Sequence, residues 1–472
     1  MTRELIDAVA AWPQEGRFDS KYLYERADYA NLLTGSAFMV VGRKGSGKSA
    51  VINYLKKYCG DTTRQLCHLE ARDLNFNMLS DVAAVPAEAQ GLWLTIIATA
   101  ALSQLNQTIL KDATLADNLP DTTALSEIVS FLRQSDVSIS YNGAKLSHTK
   151  DMPWQERWFA LKRFLSRIGQ TLSEPVTIHI AFDSLDASFR HDVAKAQRDD
   201  YLRLLEGLVG ASHGVTDEPL FGGKLSLRPA VLMRTDILNQ IPNPDSTKWH
   251  DRTVRLYWHP SQMMKLIAHR LSVVTGMHED DFRSNWSALI ERFSHNDRIN
   301  DIYDNQTPKR PFDWLDLRTH WRPRDHIVFL KTAANLALQQ NSEKIQFNQF
   351  VGAERDYSVL YFRSQTVDEG LPLLGDLRER LAQMQQMVRS SPLKRRFSHA
   401  EFAATFNTTP EETVSLLRKL YELSVVGHAA PNAPSDHPNN RYRFQFKDNV
   451  FGELDVKDDV VIHPAIHRSL IP

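Results

Sequence analysis

The sequence predicts an α/β fold in its first half, with a parallel sheet flanked by helices, and a mostly helical second half. Short apolar runs alternate with helical stretches up to about residue 236, and these runs lack the polar alternation of a half-exposed strand. Beyond that residue helical patterns dominate. A chain of 472 residues is also long for one domain, which favours two or three units with separate cores.

Four apolar runs are expected to form strands covered on both faces, at 37–41, 65–69, 176–182 and 230–233. Helices are expected beside them at 50–58, 91–110, 155–172 and 192–209. Strands that alternate with helices in this way form a doubly wound α/β domain, which we assign to residues 1–240. Within it, the polar segment 112–151 is expected to be an irregular insertion or lid.

Two further domains are expected after the sheet. Residues 241–390 are expected to form a helical subdomain. Residues 391–472 begin with a helix, a turn and a second helix at 398–405 and 409–423, followed by β-type runs at 425–429 and 441–446, which is the order of a winged helix-turn-helix. Arg418 and Lys419 are expected to be exposed on its second helix, and Arg443 on its wing. The excess of basic over acidic residues is thin, so DNA contact and packing against a protein remain equal alternatives.

Composition excludes several classes of protein. The formal net charge is −1, so no overall field attracts nucleic acid or an anionic membrane. Cys59 and Cys67 are too few for a disulfide framework or for the four ligands of a structural zinc site. No run reaches the roughly 20 apolar residues of a membrane span, and the first residues lack the apolar core of a signal peptide. We therefore expect a cytoplasmic protein without a membrane partner.

One motif carries specific chemistry. Between the first predicted strand and the helix after it, the chain matches G-x-x-x-x-G-K-[ST] with the residues Gly42, Arg43, Lys44, Gly45, Ser46, Gly47, Lys48 and Ser49. The glycines allow the loop to point its amides inward, and the helix N-terminus adds positive potential. Lys48 is expected to reach the β- and γ-phosphates of ATP, and the Ser49 hydroxyl to ligate Mg²⁺. The motif predicts a P-loop NTPase.

Such a site needs a carboxylate at the end of a neighbouring strand to hold the water shell of Mg²⁺. Asp183 directly follows the apolar run 176–182 and is the candidate for this Walker B position. Many P-loop ATPases place a second acid next, to orient the attacking water, but here Ser184 follows. Asp186 is the first substitute, and Glu70, at the end of the second strand, is the alternative. Slow turnover is therefore expected.

The residues GRKGSGKSA, FDSLD, LMRTDI and WRPRD together resemble bacterial P-loop ATPases of the Sll1717 type, related to STAND, KAP and origin-recognition/Cdc6-like AAA+ ATPases. The resemblance implies that Arg234 takes the sensor-1 position and Arg324 the sensor-2 position, with both arginines responding to the bound phosphates. It also implies a homo-oligomer and control of a companion effector in bacterial defence against phage or foreign DNA. The alternatives are a nucleotide-switched DNA-binding protein with little turnover, and a structural scaffold that binds ATP for stability alone.

Overall fold

The structure is a computed structural model. It describes residues 2–13, 19–71, 74, 79, 82, 85–112, 115, 117–120, 125–134, 137–142, 144–148, 151–188, 195–218, 220–241, 249–293, 311–361, 366–371, 374–392, 394, 396–429, 442–446, 454 and 459–470. These residues form two compact units. One runs from Glu25 to Leu256, and the other combines Met1–Tyr24 with Tyr257–Pro472. This division into two units does not test the three predicted domains, 1–240, 241–390 and 391–472, which stay predictions.

The first unit is built on a parallel sheet. Its strands, with a separate hairpin formed by the third and fourth, are β1 (Met39–Gly42), β2 (Arg64–Glu70), β3 (Val137–Tyr141), β4 (Ala144–His148), β5 (Val176–Asp183), β6 (Leu225–Arg234) and β7 (Thr253–Arg255). The sheet order is β2-β5-β6-β1-β7, and every described pair in it is parallel. The carboxyl ends of the strands therefore meet along one edge, where parallel sheets bind ligands.

Helices connect these strands. After α1 (Thr2–Ala10), which belongs to the second unit, the described helices are α2 (Ala30–Thr34), α3 (Lys48–Tyr58), α4 (Pro86–Leu105), α5 (Leu125–Gln134), α6 (Trp154–Thr171), α7 (Lys195–Asp217) and α8 (Thr235–Leu238). Helix α4 is apolar around most of its circumference because α6, α7 and the sheet cover it. Trp93 packs edge-on against Phe182 of β5 at 5.7 Å, and its Nε1 donates to the Leu204 carbonyl at 2.7 Å. These contacts place the main core on this face of the sheet.

The predicted α/β class and its four strands are confirmed, but three details differ from expectation. Strand β2 is not covered on both faces, because it lies at the edge of the sheet and its residues alternate between buried and partly exposed. Within the segment 112–151, the described residues form helix α5 and the antiparallel hairpin β3–β4 instead of irregular chain. Ile139 and Leu146 are buried in the main core, which gives the hairpin an apolar face despite its polar composition. Strand β7 was not predicted, because it is short and places only Val254 in a buried position.

The second unit is mostly helical. Its helices beyond α1 are α9 (Pro260–Thr275), α10 (Phe282–Leu289), α11 (Pro311–Leu317), α12 (Pro323–Gln339), α13 (Phe347–Tyr361), α14 (Val367–Gly370), α15 (Leu377–Ser390), α16 (His399–Phe406), α17 (Pro410–Glu422) and α18 (Pro464–Leu470). One continuous core joins them, with Ile6 of α1 at one end of the chain and Leu470 of α18 at the other. None of the helices that the structure describes is both long and apolar enough to span a membrane.

The last part of this unit has the predicted helix, turn and helix followed by strands. Helices α16 and α17 each start with a capping box, at Ser398 and Thr409, which fixes where they begin. The strands β8 (Arg396–Phe397), β9 (Val426–Ala429), β10 (Tyr442–Arg443) and β11 (Val460–Ile462) form an antiparallel sheet in the order β10-β9-β11-β8. The C-terminal strand β11 thus lies between β9 and β8, a position that the sequence did not predict. The residues of the expected wing tip, 430–441, lie outside the described part of the chain.

Candidate functional site

The predicted loop lies between β1 and α3, the strand and helix that the motif requires. Gly45 and Gly47 have φ angles of +81° and +101°, which residues with a side chain rarely adopt. Gly47 is also the residue that precedes the first turn of α3, so its left-handed conformation turns the chain from the loop into the helix. Glycines at these two positions are therefore required by the backbone itself.

Gly42 is needed for a different reason, since its φ angle is ordinary. A Cβ atom at this position would lie 2.9 Å from Leu256 Cβ and still closer to Ser46 Oγ. Ser46 is a buried residue of the loop, and its amide donates to the Arg43 carbonyl at 3.1 Å. The missing side chain at Gly42 therefore lets the loop fold back tightly over the end of β1.

The Lys48 ammonium lies at this loop. Its Nζ donates to the carbonyl oxygens of Gly42 at 3.1 Å and Arg43 at 3.2 Å, so it is held at the start of the loop and half-buried. Ser49 is exposed in the first turn of α3. The tight turn, the left-handed glycines, the N-terminus of an 11-residue helix and one ammonium group all suit a bound triphosphate, and the Ser49 hydroxyl suits Mg²⁺.

Asp183 ends β5 at the same edge of the sheet. Its Oδ1 accepts the Ser184 amide at 2.7 Å, and its Oδ2 lies 3.7 Å from His68 Nε2. Burial alone would raise the pKa of Asp183, but the His68 ring, the Ser184 amide and the Lys48 charge together lower it below the ordinary value. The carboxylate is therefore ionised at neutral pH, as a Mg²⁺ ligand must be. Ser184 has a φ of +59°, an uncommon conformation for a residue with a side chain.

Glu70 lies beside Asp183. The two residues are register partners on the parallel strands β2 and β5, and both are partly exposed. Register partners on neighbouring strands project from the same face of a sheet, so the two carboxylates lie on one face. His68, two residues earlier on β2, shares that face. The alternative water-orienting acid is thus a direct neighbour of the proposed metal carboxylate.

Arg234 lies on the strand between the P-loop strand and the strand of Asp183. It ends β6, which separates the P-loop strand β1 from the Asp183 strand β5, and its register partner on β1 is Gly42. Its side chain is only 9% exposed. Nε and Nη2 donate to both oxygens of Asp236 at 3.0 and 2.6 Å, while Nη1 lies 3.4 Å from Asp186 Oδ2. The predicted sensor arginine and the predicted acid Asp186 are therefore paired with each other.

Arg324 lies in the first turn of α12, in the second compact unit. It is partly exposed, whereas its neighbours Arg322 and Asp325 form a buried pair with a 2.8 Å contact. The sensor-2 role of Arg324 stays a prediction.

Sequence reasoning missed two residues of this edge, His68 and Asp236. His68 could have been found from its spacing, since it lies two residues before Glu70 and so shares its face of a strand. Asp236 lies in the quoted run LMRTDI, two residues after Arg234. Its pairing with that arginine depends on the turn from β6 into α8, which the sequence pattern does not specify.

Comparison with known proteins identifies one family model. Residues 261–365 match the FunZ-associated C-terminal helical domain. The match begins in α9 and reaches just past α13, within the region predicted to be helical. No curated protein sequence matches the chain significantly.

Three solved structures that resemble the chain come from two organisms. The ORC1 protein of Aeropyrum pernix, in complex with DNA, is 11% identical, with a TM-score of 0.35 and coverage of 99% of this chain and 95% of that one. The ORC2 protein of Aeropyrum pernix, in ADPNP and ADP complexes, is 11% identical, with a TM-score of 0.44 and coverage of 93% and 89%. Cdc6p of Pyrobaculum aerophilum is 12% identical, with a TM-score of 0.33 and coverage of 98% and 97%. These matches cover most of each chain at 11–12% identity, whereas the family model matches residues 261–365 alone.

Proposed function

We propose that this chain binds Mg²⁺ and ATP at the loop from Gly42 to Ser49 and hydrolyses the nucleotide slowly, using the bound state as a switch. One observation carries the proposal. Three groups lie along the carboxyl edge of three adjacent strands. They are the loop with its left-handed glycines and Lys48, the ionised Asp183, and the buried Arg234. This combination of loop amides, ammonium, carboxylate and guanidinium fits a triphosphate and its metal ion.

Each group has a distinct role in the proposal. The loop amides and Lys48 hold the phosphates, and Ser49 and Asp183 hold the metal, directly or through its water shell. Bound Mg²⁺ supplies charge neutralisation for the phosphate oxygens. Arg234 stabilises negative charge at the terminal phosphate, where a planar guanidinium can donate two hydrogen bonds. Arg324 is proposed to report the nucleotide state from the helical unit, as the resemblance implies.

Hydrolysis also needs an acid that orients water. Asp186 and Glu70 remain the two candidates, and the structure gives them different surroundings. Asp186 contacts Arg234, which partly neutralises the charge of the Asp186 carboxylate, whereas Glu70 is the register partner of Asp183. With Ser184 in the place where many P-loop ATPases have an acid, we expect turnover below the roughly 1 to 1,000 s⁻¹ typical of enzymes.

Steady-state ATP hydrolysis tests this assignment. Asp183→Ala should abolish turnover, because the metal loses its carboxylate while the loop remains. Of Glu70→Gln and Asp186→Asn, the variant that lacks the water-orienting acid should lose about 100-fold or more in kcat. Circular dichroism of each variant verifies that it is folded. Unchanged turnover in Asp183→Ala would contradict the proposed site.

The output of the switch is proposed from the resemblance to Sll1717-type, STAND and KAP ATPases. Under that proposal the cytoplasmic chain forms a homo-oligomer and controls a companion effector in defence against phage or foreign DNA. Co-purification with a non-hydrolysable ATP analogue tests this, since an effector retained only in its presence is the expected result. An absence of any nucleotide-dependent partner in the native host would contradict it.

The alternative is a nucleotide-switched DNA-binding protein, favoured by the element order of the C-terminal domain. The surface of α17 weighs against it. Its exposed and partly exposed charged side chains comprise three acids and two bases, namely Glu411, Glu412, Glu422, Arg418 and Lys419. Because phosphate contacts supply much of the affinity for DNA, this face suits a protein partner better. Duplex binding that strengthens with the ATP analogue and weakens steeply with salt would favour the alternative.

A further inference from the structure

We propose that Asp236 is a positioning residue that aims Arg234 at the terminal phosphate, and that Asp186 is the group which this phosphate displaces. This inference rests on the proposed function, and it explains how the site would distinguish ATP, which has the terminal phosphate, from ADP, which lacks it. It concerns the carboxylate–arginine–carboxylate cluster formed by Asp186, Arg234 and Asp236.

The two carboxylates bind different parts of the guanidinium. Asp236 takes the edge formed by Nε and Nη2, with hydrogen bonds of 3.0 and 2.6 Å to separate oxygens. This bidentate geometry fixes the plane of the guanidinium as well as its position. A guanidinium has five N–H donors, so a pair that uses Nε and one hydrogen of Nη2 involves only one edge of the group, and the far edge lies between Nη1 and Nη2.

Asp186 contacts that far edge. Its Oδ2 lies 3.4 Å from Nη1, a longer contact than either bond to Asp236 and made by one oxygen only. Asp186 also lies in a short 3-10 turn, Leu185–Ser188, just beyond the proposed metal carboxylate Asp183. Asp236 thus makes the stronger contact with Arg234 and Asp186 the weaker one, and Asp186 belongs to the segment that follows Asp183.

Charge explains why the weak contact would be exchanged. Two carboxylates around one guanidinium leave the cluster with a net charge of about −1 when all three groups are ionised, so a phosphate that approaches Arg234 is repelled by Asp186. A phosphate oxygen that takes the Nη1 and Nη2 donors replaces the longer contact with shorter charge-assisted bonds. The bidentate pair with Asp236 can persist throughout, since it uses the opposite edge.

A purely structural salt bridge is the competing explanation. The Arg234 side chain is buried, and a buried arginine needs a counter-charge to remain stable in the fold. One carboxylate meets that need, yet the cluster contains two. The arginine also lies in register with Gly42, on the strand between the loop strand and the Asp183 strand, so it lies at the carboxyl edge of the sheet beside the proposed phosphate site.

Equilibrium titration with two nucleotides separates these explanations. The full-length protein is titrated with ADP and with a non-hydrolysable ATP analogue in Mg²⁺ buffer, for the wild type and the variants Asp236→Asn, Asp236→Ala and Asp186→Asn. Asp236→Asn and Asp236→Ala should each weaken the analogue about tenfold and leave ADP unchanged, because only the terminal phosphate meets Arg234. Asp186→Asn should strengthen the analogue several-fold, again without a change in ADP affinity, because it removes a competing anion.

Asp200→Asn is the matched control. Asp200 forms an exposed pair with Arg203 on α7 of the same unit, at 2.9 Å, and its substitution should change neither affinity. Equal weakening of both nucleotides in the Asp236 variants, or unchanged discrimination, would overturn the positioning role. A weaker analogue in Asp186→Asn would overturn the exchange. If the wild type binds neither nucleotide, the proposed function fails instead, so the two failures are distinguishable.

Discussion

At the scale of single residues, the glycines of the loop serve two different physical needs. Gly45 and Gly47 supply left-handed backbone, whereas Gly42 supplies space next to Ser46 and Leu256. The motif predicts that glycine occurs at 42 and 47, but only the three-dimensional packing shows why the first of them cannot carry a methyl group. The structure therefore allows a test that isolates close packing from backbone freedom.

Gly42→Ala tests the close packing. The added Cβ would push against Ser46 and Leu256, so the loop should shift and ATP affinity should fall at least tenfold, with a loss of stability of about 1–3 kcal/mol. Thermal unfolding and nucleotide titration measure the two effects. Gly60→Ala is the control, since a Cβ at Gly60 meets nothing within 4 Å. Equal behaviour of the two variants would show that the loop does not need the space at Gly42.

At the same scale, the sequence predicts some residues of the site but not the contacts between them. The spacing of Gly42, Gly47, Lys48 and Ser49 specifies a local turn, and local turns depend on neighbouring residues alone. Asp183 was predictable because it follows a buried apolar run. The contacts of Asp183 with His68 and of Arg234 with Asp186 were not, because they join segments whose meeting depends on strand register and order.

At the scale of elements, α4 shows how a buried helix fits between neighbours. Its apolar composition predicted burial, and the structure surrounds it with α6, α7 and the sheet. Gly91 marks a close approach to α6, since a Cβ there would lie 2.8 Å from the Gln155 amide nitrogen. Backbone in that position cannot move aside as a flexible side chain can.

Two glycine substitutions in helices should therefore have opposite effects. Gly91→Ala should lower the free energy of unfolding by about 1–3 kcal/mol, because it forces α4 and α6 apart. Gly214→Ala, in α7, should raise it by about 0.5–1 kcal/mol, because a Cβ there meets nothing within 4 Å and alanine favours helix. Shifts in the midpoint of chemical denaturation measure both. A stabilising Gly91→Ala would contradict the tight approach of α4 to α6.

The sequence predicted the elements with strong apolar patterns well. It did not predict elements that are short or that depend on pairing with distant segments. Strands β1, β5 and β6 carry apolar runs, so their burial on both faces is visible in the residues themselves. The edge strand β2 instead alternates between buried and partly exposed residues, so the expectation of burial on both faces was wrong for it. Strand β11 has three residues and is defined by its pairing with β8 and β9. Pairing between distant segments leaves little trace in a single sequence, which is why the C-terminal sheet was only partly predicted.

At the scale of the whole molecule, the chain contains two compact units, each with its own core. Their boundaries fall at Tyr24 and Leu256, and the first helix belongs to the unit formed by the second half of the chain. Helix α1 packs on α12, which lies more than 300 residues later in the sequence. Sequence periodicity identifies such a helix but cannot tell which core it joins.

The stability of the molecule should depend on pH through His179. This residue is 1% exposed on β5, and its Nε2 has no hydrogen-bond partner among the described residues. Burial, with the charges of Arg64 and Arg228, lowers its pKa from 6.5 to about 4. The folded state therefore favours the neutral ring, so its contribution is fully present above pH 6.5 and is lost as the pH falls towards 4.

His179→Leu should remove that dependence. The wild type should lose up to about 3 kcal/mol of stability between pH 6.5 and 4 from this group, and the variant should lose correspondingly less. Chemical denaturation at several pH values measures the slope. His250→Leu, at a side chain that is 55% exposed, serves as the control and should retain the wild-type slope. An unchanged slope in His179→Leu would contradict the assignment of acid sensitivity to His179.

The central claim is that the loop from Gly42 to Ser49 holds a nucleoside triphosphate with Mg²⁺. Calorimetric titration of Mg²⁺·ATP into the full-length protein tests it most directly, with Lys48→Ala as the comparison. We predict saturable binding with one site per chain in the wild type and a loss of affinity of at least tenfold in Lys48→Ala. Equal affinity in the two proteins, or no heat of binding in the wild type, would contradict the claim.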